Sequence, residues 1–436
     1  MNNDGITALT IGLQKYFGNV QKEKKNVKPP FQRLPIPVIR VILGEYHIVS
    51  IRMSYFSEKY YKKNVRLFNQ FYGKFKVDRL KHVQLIFRSV EFKSNAAIIG
   101  TNINMILKGI LKTIPLKKLF FLHLDSLQKG NLALKHIECV ERLSGLIVNN
   151  KFDRKYWNER LFDNLEFLNF HIKVLTPETF EFLNTFKKLK FVNIKFNTVK
   201  KEKNKKETKN IICKNIESMA YYPYLGKKTH NYCSEGIDFV NYPNLKWIRM
   251  IKVILWNGLF RWINEHKKLT TVEISCCDIT NESRVNIVLR NVKKLVLNNQ
   301  FGEKHMKIPI KFIYLKNVRY LTLFRFKFND KNIGIVFNEE NEFKKINLSH
   351  CIIKTKNDSF LANTIKNTII ENIKITYLYK VERSFIRGVF RNKNIQNIYL
   401  EIYYDELKEM KIIMKKEKVN TKKVHFKEML PFSPPF

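Results

Sequence analysis

Apolar residues recur along most of this chain in the spacing apolar-x-x-apolar-x-apolar. The pattern appears at Leu80-Val83-Leu85, Leu119-Leu122-Leu124, Leu143-Leu146-Val148, Leu165-Leu168-Phe170 and Leu189-Val192-Ile194. It returns at Leu245-Ile248-Met250, Leu269-Val272-Ile274, Val292-Leu295-Leu297, Val318-Leu321-Leu323 and Phe343-Ile346-Leu348, with weaker copies at Ile370-Ile373-Ile375 and Ile395-Ile398-Leu400. From 119 to 189 and from 245 to 395 the copies start about 25 residues apart, a regularity that chance matches would not produce. The last two apolar residues of each copy lie two apart, so on a strand they share one face. One such unit cannot bury that face alone, and stacked units can. The spacing therefore predicts an α/β solenoid of short parallel strands. Helix-spaced returns are expected at Phe180-Leu183 and Phe260-Ile263.

The period and pattern resemble the leucine-rich repeat family over residues 78–405. The family places an Asn or Cys eight residues after the first Leu, where it satisfies loop backbone groups. Asn197, Cys277 and Cys351 occupy that place, so the repeats are degenerate and the resemblance implies a leucine-rich-repeat-like horseshoe. The register breaks between 189 and 245. That stretch holds the run KKEKNKKETK at 200–209, read as a solvated Lys-rich insertion spanning 198–244.

Ahead of the repeats, residues 1–29 form a flexible N-terminal segment that ends in a charged linker. Residues 30–77 then open on Leu34-Pro35, a step suited to helix entry. Val38, Ile39, Ile42 and Leu43 follow at helical spacing up to Gly44. Ile48 and Ile51 begin a second short element, and Phe56, Tyr60 and Tyr61 close a third. This stretch resembles an F-box, the small helical module that binds the Skp-type adaptor of cullin-RING ubiquitin ligases. Pro37 stands where the family usually has an acidic residue. The resemblance implies adaptor binding through Leu34, Pro35, Val38, Ile39, Ile42, Leu43, Ile48, Ile51 and Tyr60. It also implies a protein substrate held on the solenoid, within a ligase that supplies the chemistry. Residues 406–436 read as a C-terminal tail.

In a solenoid of this kind, the residues between inward positions face outward. The third residue of a unit is aromatic at Phe121, Phe167, Phe191, Trp247 and Tyr320. The second is basic at Lys81, Lys190, Lys246, Lys293, Arg319 and Lys344. In register these make an aromatic stripe beside a basic one, suited to an acidic or phosphorylated protein ligand. The same mixture suits stacked bases and phosphates, so RNA is the rival partner.

Composition adjusts this picture in three ways. The formal net charge is +42, spread along the chain, which fits either a polyanion partner or compositional drift in a Lys- and Asn-rich sequence. The 6 cysteines contain no C-x-x-C pair, so reduced thiols and a cytoplasmic or nuclear location are expected. No apolar run reaches the roughly 18 residues of a membrane span, and no membrane partner is expected. Phosphate-loop, dinucleotide, zinc-protease and nucleophile-elbow motifs are all missing, and His230 with Cys233 lacks a second ligand pair. No enzymatic activity, cofactor or metal is expected.

Overall fold

The computed structural model describes residues 50–55, 82–87, 120–126, 143–151, 161–199, 211–223, 240–255, 257–279, 287–299, 306–307, 313–328, 341–354, 368–376 and 383–429, with single positions at 104, 135, 157, 337 and 365. The chain divides into two compact units, Met1–Thr198 and Val199–Phe436.

In the first unit the strands are β1 (Ser50–Tyr55), β2 (His82–Phe87), β3 (Phe120–Ser126), β4 (Leu143–Lys151), β5 (Phe167–Leu175) and β6 (Phe191–Val199). They lie side by side in sequence order. β1 to β5 pair parallel, with Ile51 opposite Val83, Val83 opposite Leu122, and Leu122 opposite Leu146 and then Leu168 in register. Helices α1 (Leu161–Asn164) and α2 (Pro177–Leu183) sit in the returns. Thr176 precedes α2, and its backbone N–H donates to Thr179 Oγ1 at 3.3 Å, half of a capping box. Phe182 and Phe186 pack edge-on to each other and to Trp157, sealing that return.

The second unit begins with β7 (Ile211–Ile212), β8 (Ser218–Pro223), β9 (Val240–Asn241), β10 (Trp247–Leu255), β11 (Thr271–Ile279), β12 (Ile287–Val288), β13 (Lys294–Asn298) and β14 (Met306–Lys307). It continues with β15 (Ile313–Tyr314), β16 (Tyr320–Phe324), β17 (Phe326–Phe328), β18 (Lys345–Ser349), β19 (Ile352–Ile353), β20 (Asn372–Thr376), β21 (Asn397–Tyr403) and β22 (Val424–Met429). Its main ladder runs β8-β10-β11-β13-β16-β18-β20-β21-β22, every pair parallel. Short parallel pairs β7-β9 and β12-β15, and the triplet β14-β17-β19, run through the returns. The return helices are α3 (Asn257–Glu265), α4 (Arg383–Arg391) and α5 (Tyr404–Lys416).

The repeat spacing is met by burial. From Leu143 to Leu400, all thirty inward side chains of ten units are at most 4% exposed. A parallel sheet buried in this way needs apolar residues on its covered face, which the repeated Leu, Ile and Val supply. The outward positions between them are exposed or half-buried, giving β16 and β18 alike an alternating pattern. The result in each unit is a ladder of parallel strands with few helices, compatible with an α/β solenoid.

The structure moves three boundaries. The 198–244 insertion contains a rung: β8 pairs with β10, and Ile216, Met219 and Tyr221 are buried as its inward residues. Tyr221 replaces the usual aliphatic there because its hydroxyl meets that of Tyr242 at 2.6 Å in the interior. The C-terminal tail is also partly a rung, since β22 pairs parallel with β21 through Tyr403↔Met429. At the other end, Ile51 lies in β1 and not in a helical module, with Ile51 and Met53 opposite Val83 and Leu85 of β2. Alternation along SIRMSY, with β-branched Ile51, favours the strand.

Of the three residues eight places after a first Leu, Val or Phe, Cys351 bonds backbone carbonyls, Asn197 bonds a side chain, and the side chain of Cys277 lies outside the described residues. Cys351 Sγ donates to Leu323 O at 3.4 Å and to Ser349 O at 3.5 Å. His171 Nε2 and Asn197 Oδ1 form a 2.7 Å bond between β5 and β6. Just before Cys351 the chain turns through His350 at φ 52, and Lys252 (φ 58) and Arg325 (φ 60) hold the same position two residues past Met250 and Leu323. At Arg325 and His350 this left-handed residue ends the strand, so that Phe326 and Cys351 turn inward to be buried, whereas at Lys252 it sits within β10 at a register shift.

Candidate recognition face

The outward face is built by a repeated backbone device. In eight rungs among the described residues two consecutive amides, at the second and third positions, donate to one carbonyl of the preceding rung. Lys190 and Phe191 donate to Glu166 O, and Lys246 and Trp247 to Glu217 O. Thr270 and Thr271 donate to Lys246 O, Lys293 and Lys294 to Thr270 O, and Arg319 and Tyr320 to Lys293 O. Lys344 and Lys345 donate to Arg319 O, and Glu371 and Asn372 to Lys344 O. The second-position side chains therefore rise in a column at roughly the strand spacing of 4.8 Å.

This places the predicted residues individually. In the first unit, Lys190 and Phe191 are exposed and Phe167 is half-buried, while Phe121 lies in β3 with its side chain outside the described residues. Gly145 stands in register between Phe121 and Phe167, interrupting the aromatic column. In the second unit, Lys246, Lys293, Arg319, Lys344 and Tyr320 are exposed and Trp247 is half-buried. The third-position column there reads Ser218, Trp247, Thr271, Lys294, Tyr320, Lys345, Asn372 and Asn397. Thr271 and Lys294 thus part Trp247 from Tyr320, so the aromatic stripe resolves into separate rings. Lys81 and the docking set Leu34, Pro35, Val38, Ile39, Ile42, Leu43, Ile48 and Tyr60 lie outside the described residues.

The basic stripe is likewise broken, by carboxylates that the second-position reading passed over. Lys190 faces Glu166 at 3.7 Å, Lys246 faces Glu217 at 2.7 Å, and Lys344 faces Glu371 at 3.1 Å. In the next outward column Glu273 takes Lys294 at 3.4 Å and Arg249 at 3.9 Å. Glu401 takes Lys374 at 3.3 Å and Lys427 at 3.6 Å. Outward residues not anticipated are Lys294, Lys345 and Tyr399, the last 43% exposed and stacked on His425 with ring centroids 4.7 Å apart. Their signal was the register itself, which a single unit does not reveal.

Among the described residues no group of three His, Cys, Asp or Glu could hold a metal ion. The buried titratable groups have structural partners. His266 accepts the Tyr242 N–H at Nε2 (3.1 Å) and donates from Nδ1 to Trp262 O (2.8 Å). Burial, opposed by the bond to Trp262 and by Glu265, lowers its pKa from the usual imidazole value. Burial pushes the thiols of Cys213 and Cys351 up to about 12, far from the reactive thiolate range. Among the described residues no helix is long and apolar enough to cross a membrane. Compared with known proteins, the chain matches no family model and no curated sequence.

Proposed function

We propose that this chain is a non-catalytic recognition subunit that displays the outward columns of its ladders to a protein ligand. The observation that carries this reading is the division of labour within each rung. The inward Leu, Ile and Val residues form the core, whereas the fold has no comparable need for Trp247, Arg319, Tyr320 or Phe191 outward. Rigid strands fix these side chains before a ligand arrives, which lowers the ordering cost of binding. Aromatic and Arg residues are the types that dominate protein-binding energies.

The finer part of the proposal links the chain to a cullin-RING ligase through a Skp-type adaptor, docked on Leu34, Pro35, Val38, Ile39, Ile42, Leu43, Ile48 and Tyr60. Ile51 is left out, because it belongs to β1. Such a subunit needs no catalytic residue, since holding a substrate beside a ligase raises its effective concentration. Co-expression of the full chain with a Skp-type adaptor tests the link. The wild type should retain the adaptor through purification, and a Pro35→Ala/Ile39→Asp variant of unchanged circular dichroism should lose it. Retention by both, or by neither, removes the ligase link and leaves a recognition scaffold.

A further inference from the structure

On the second unit's outward face, six described cations, Lys246, Arg249, Lys294, Lys344, Lys374 and Lys427, are answered by carboxylates. Glu217, Glu273, Glu371 and Glu401 each lie beside the Lys or Arg of a neighbouring rung. Lys293, Arg319 and Lys345 differ from those six: among the described residues none of them has a carboxylate partner. They stand on consecutive rungs and are joined through the backbone. Lys293 O accepts from Arg319 N (2.8 Å), and Arg319 O accepts from Lys345 N (3.0 Å). Tyr320, 46% exposed, stands among them, in register with Lys294 and Lys345.

Like charges on neighbouring strands repel, and a rigid ladder does not let them move apart. A cluster held this way has an unmet demand for negative charge. We infer that Lys293, Arg319 and Lys345, with the Tyr320 ring among them, form a docking site for an acidic peptide segment of a partner protein. The inference rests on the ladder face being the recognition surface, and it names the chemistry taken there. Arg319 at the centre offers a planar fork that holds one carboxylate through two parallel bonds, and the two flanking lysines act as point charges. The Tyr320 ring supplies apolar contact beside them.

The site's borders favour a peptide over a nucleic acid. Glu273 closes the cluster on one side and Glu371 on the other, so the unanswered charge spans three rungs, or roughly 10 Å. A nucleic-acid strand would run on into those carboxylates, and within these rungs it would find one exposed ring, where strand binders use successive rings.

Fluorescence anisotropy of the full chain with a labelled oligoglutamate peptide tests the site, with oligouridylate of matched charge as competitor. The wild type and a Lys267→Gln/Lys327→Gln/Lys354→Gln variant, which removes equal charge elsewhere, should bind the peptide alike. A Lys293→Gln/Arg319→Gln/Lys345→Gln variant with unchanged circular dichroism should bind about tenfold more weakly or worse. Equal weakening of both variants would overturn the site, as would preferential binding of oligouridylate at the same residues. Peptide binding that is absent, while Trp247→Ala/Tyr320→Ala still strips bound protein from the chain, would overturn the acidic-peptide inference alone. Absence of both would overturn the recognition face itself.

Discussion

Replacing Asn392 with alanine should loosen one rung interface by about 3 kcal/mol. Asn392 follows α4 and is fully buried, at 0% exposure. Its Nδ2 donates to Ile365 O (2.8 Å), Thr368 O (2.9 Å) and Thr368 Oγ1 (3.0 Å), and its Oδ1 accepts from Asn394 N (2.8 Å). The side chain thus ties one return to the return before it. Alanine removes the bonds made by both amide protons and by the carbonyl oxygen, at about 1 kcal/mol net for each of three. The full penalty of orphaned carbonyls is not added, because both keep other donors. Ile365 O still accepts from Thr368 Oγ1 at 2.9 Å, and Thr368 O from Asn394 Nδ2 at 2.9 Å. Each rung touches only its neighbours, so the loss should be local. Native-state hydrogen exchange is the assay. Amides of β20 and β21 should open about a hundredfold faster, since about 1.4 kcal/mol is a factor of ten. A change below about 0.5 kcal/mol, or an acceleration spread evenly over both units, would refute the reasoning.

Other outcomes follow from the same geometry. Leu295→Ala, at a fully buried inward position of β13, should cost about 3 kcal/mol in urea unfolding, whereas Val296→Ala on the outward side should cost under about 1 kcal/mol. His266 is held neutral in the fold, so its folded pKa lies below the unfolded value of about 6.5. The unfolded chain therefore binds the extra proton. The neutral ring's contribution is whole above about pH 6.5 and is lost as pH falls through and below it; His266→Gln should flatten that decline in unfolding free energy measured against pH. Cys213 and Cys351, buried with raised pKa, should resist iodoacetamide at pH 8 in the native chain and react once it unfolds, which mass spectrometry would show. Glu217→Gln should change stability by less than about 1 kcal/mol, because its partner Lys246 is well exposed.

Much of the ladder was legible in the sequence because its signal is chemical and repeated. Two inward residues per strand and one in the preceding turn must be apolar, and twelve copies made that visible. β8 was harder to see, because its last inward residue is Tyr221 and not an aliphatic, and the Tyr242 hydroxyl that its own meets is brought there only by the fold. β1 was missed for another reason: the helical spacing of Val38 to Leu43 carried the helical reading onward across Ile51. The left-handed turns at Lys252, Arg325 and His350 left no trace, since none of them is glycine. Interlocks such as Asn392 and His266 were equally silent. An Asn or His three residues before an aliphatic is unremarkable until the neighbouring return is placed beside it. On the outward face, residue types were readable but pairing was not. The carboxylates that answer Lys190, Lys246 and Lys344 sit one rung away, at separations of about 25 residues that only the fold brings together.

The central claim is that the outward columns, and no other surface, hold the ligand. The most direct measurement compares the proteins retained by the full wild-type chain with those retained by Trp247→Ala/Tyr320→Ala and by Lys327→Ala/Lys354→Ala, all at matched circular dichroism. The account predicts that the first variant loses specific partners that the wild type and the second variant keep. An identical set of partners on all three chains would contradict it.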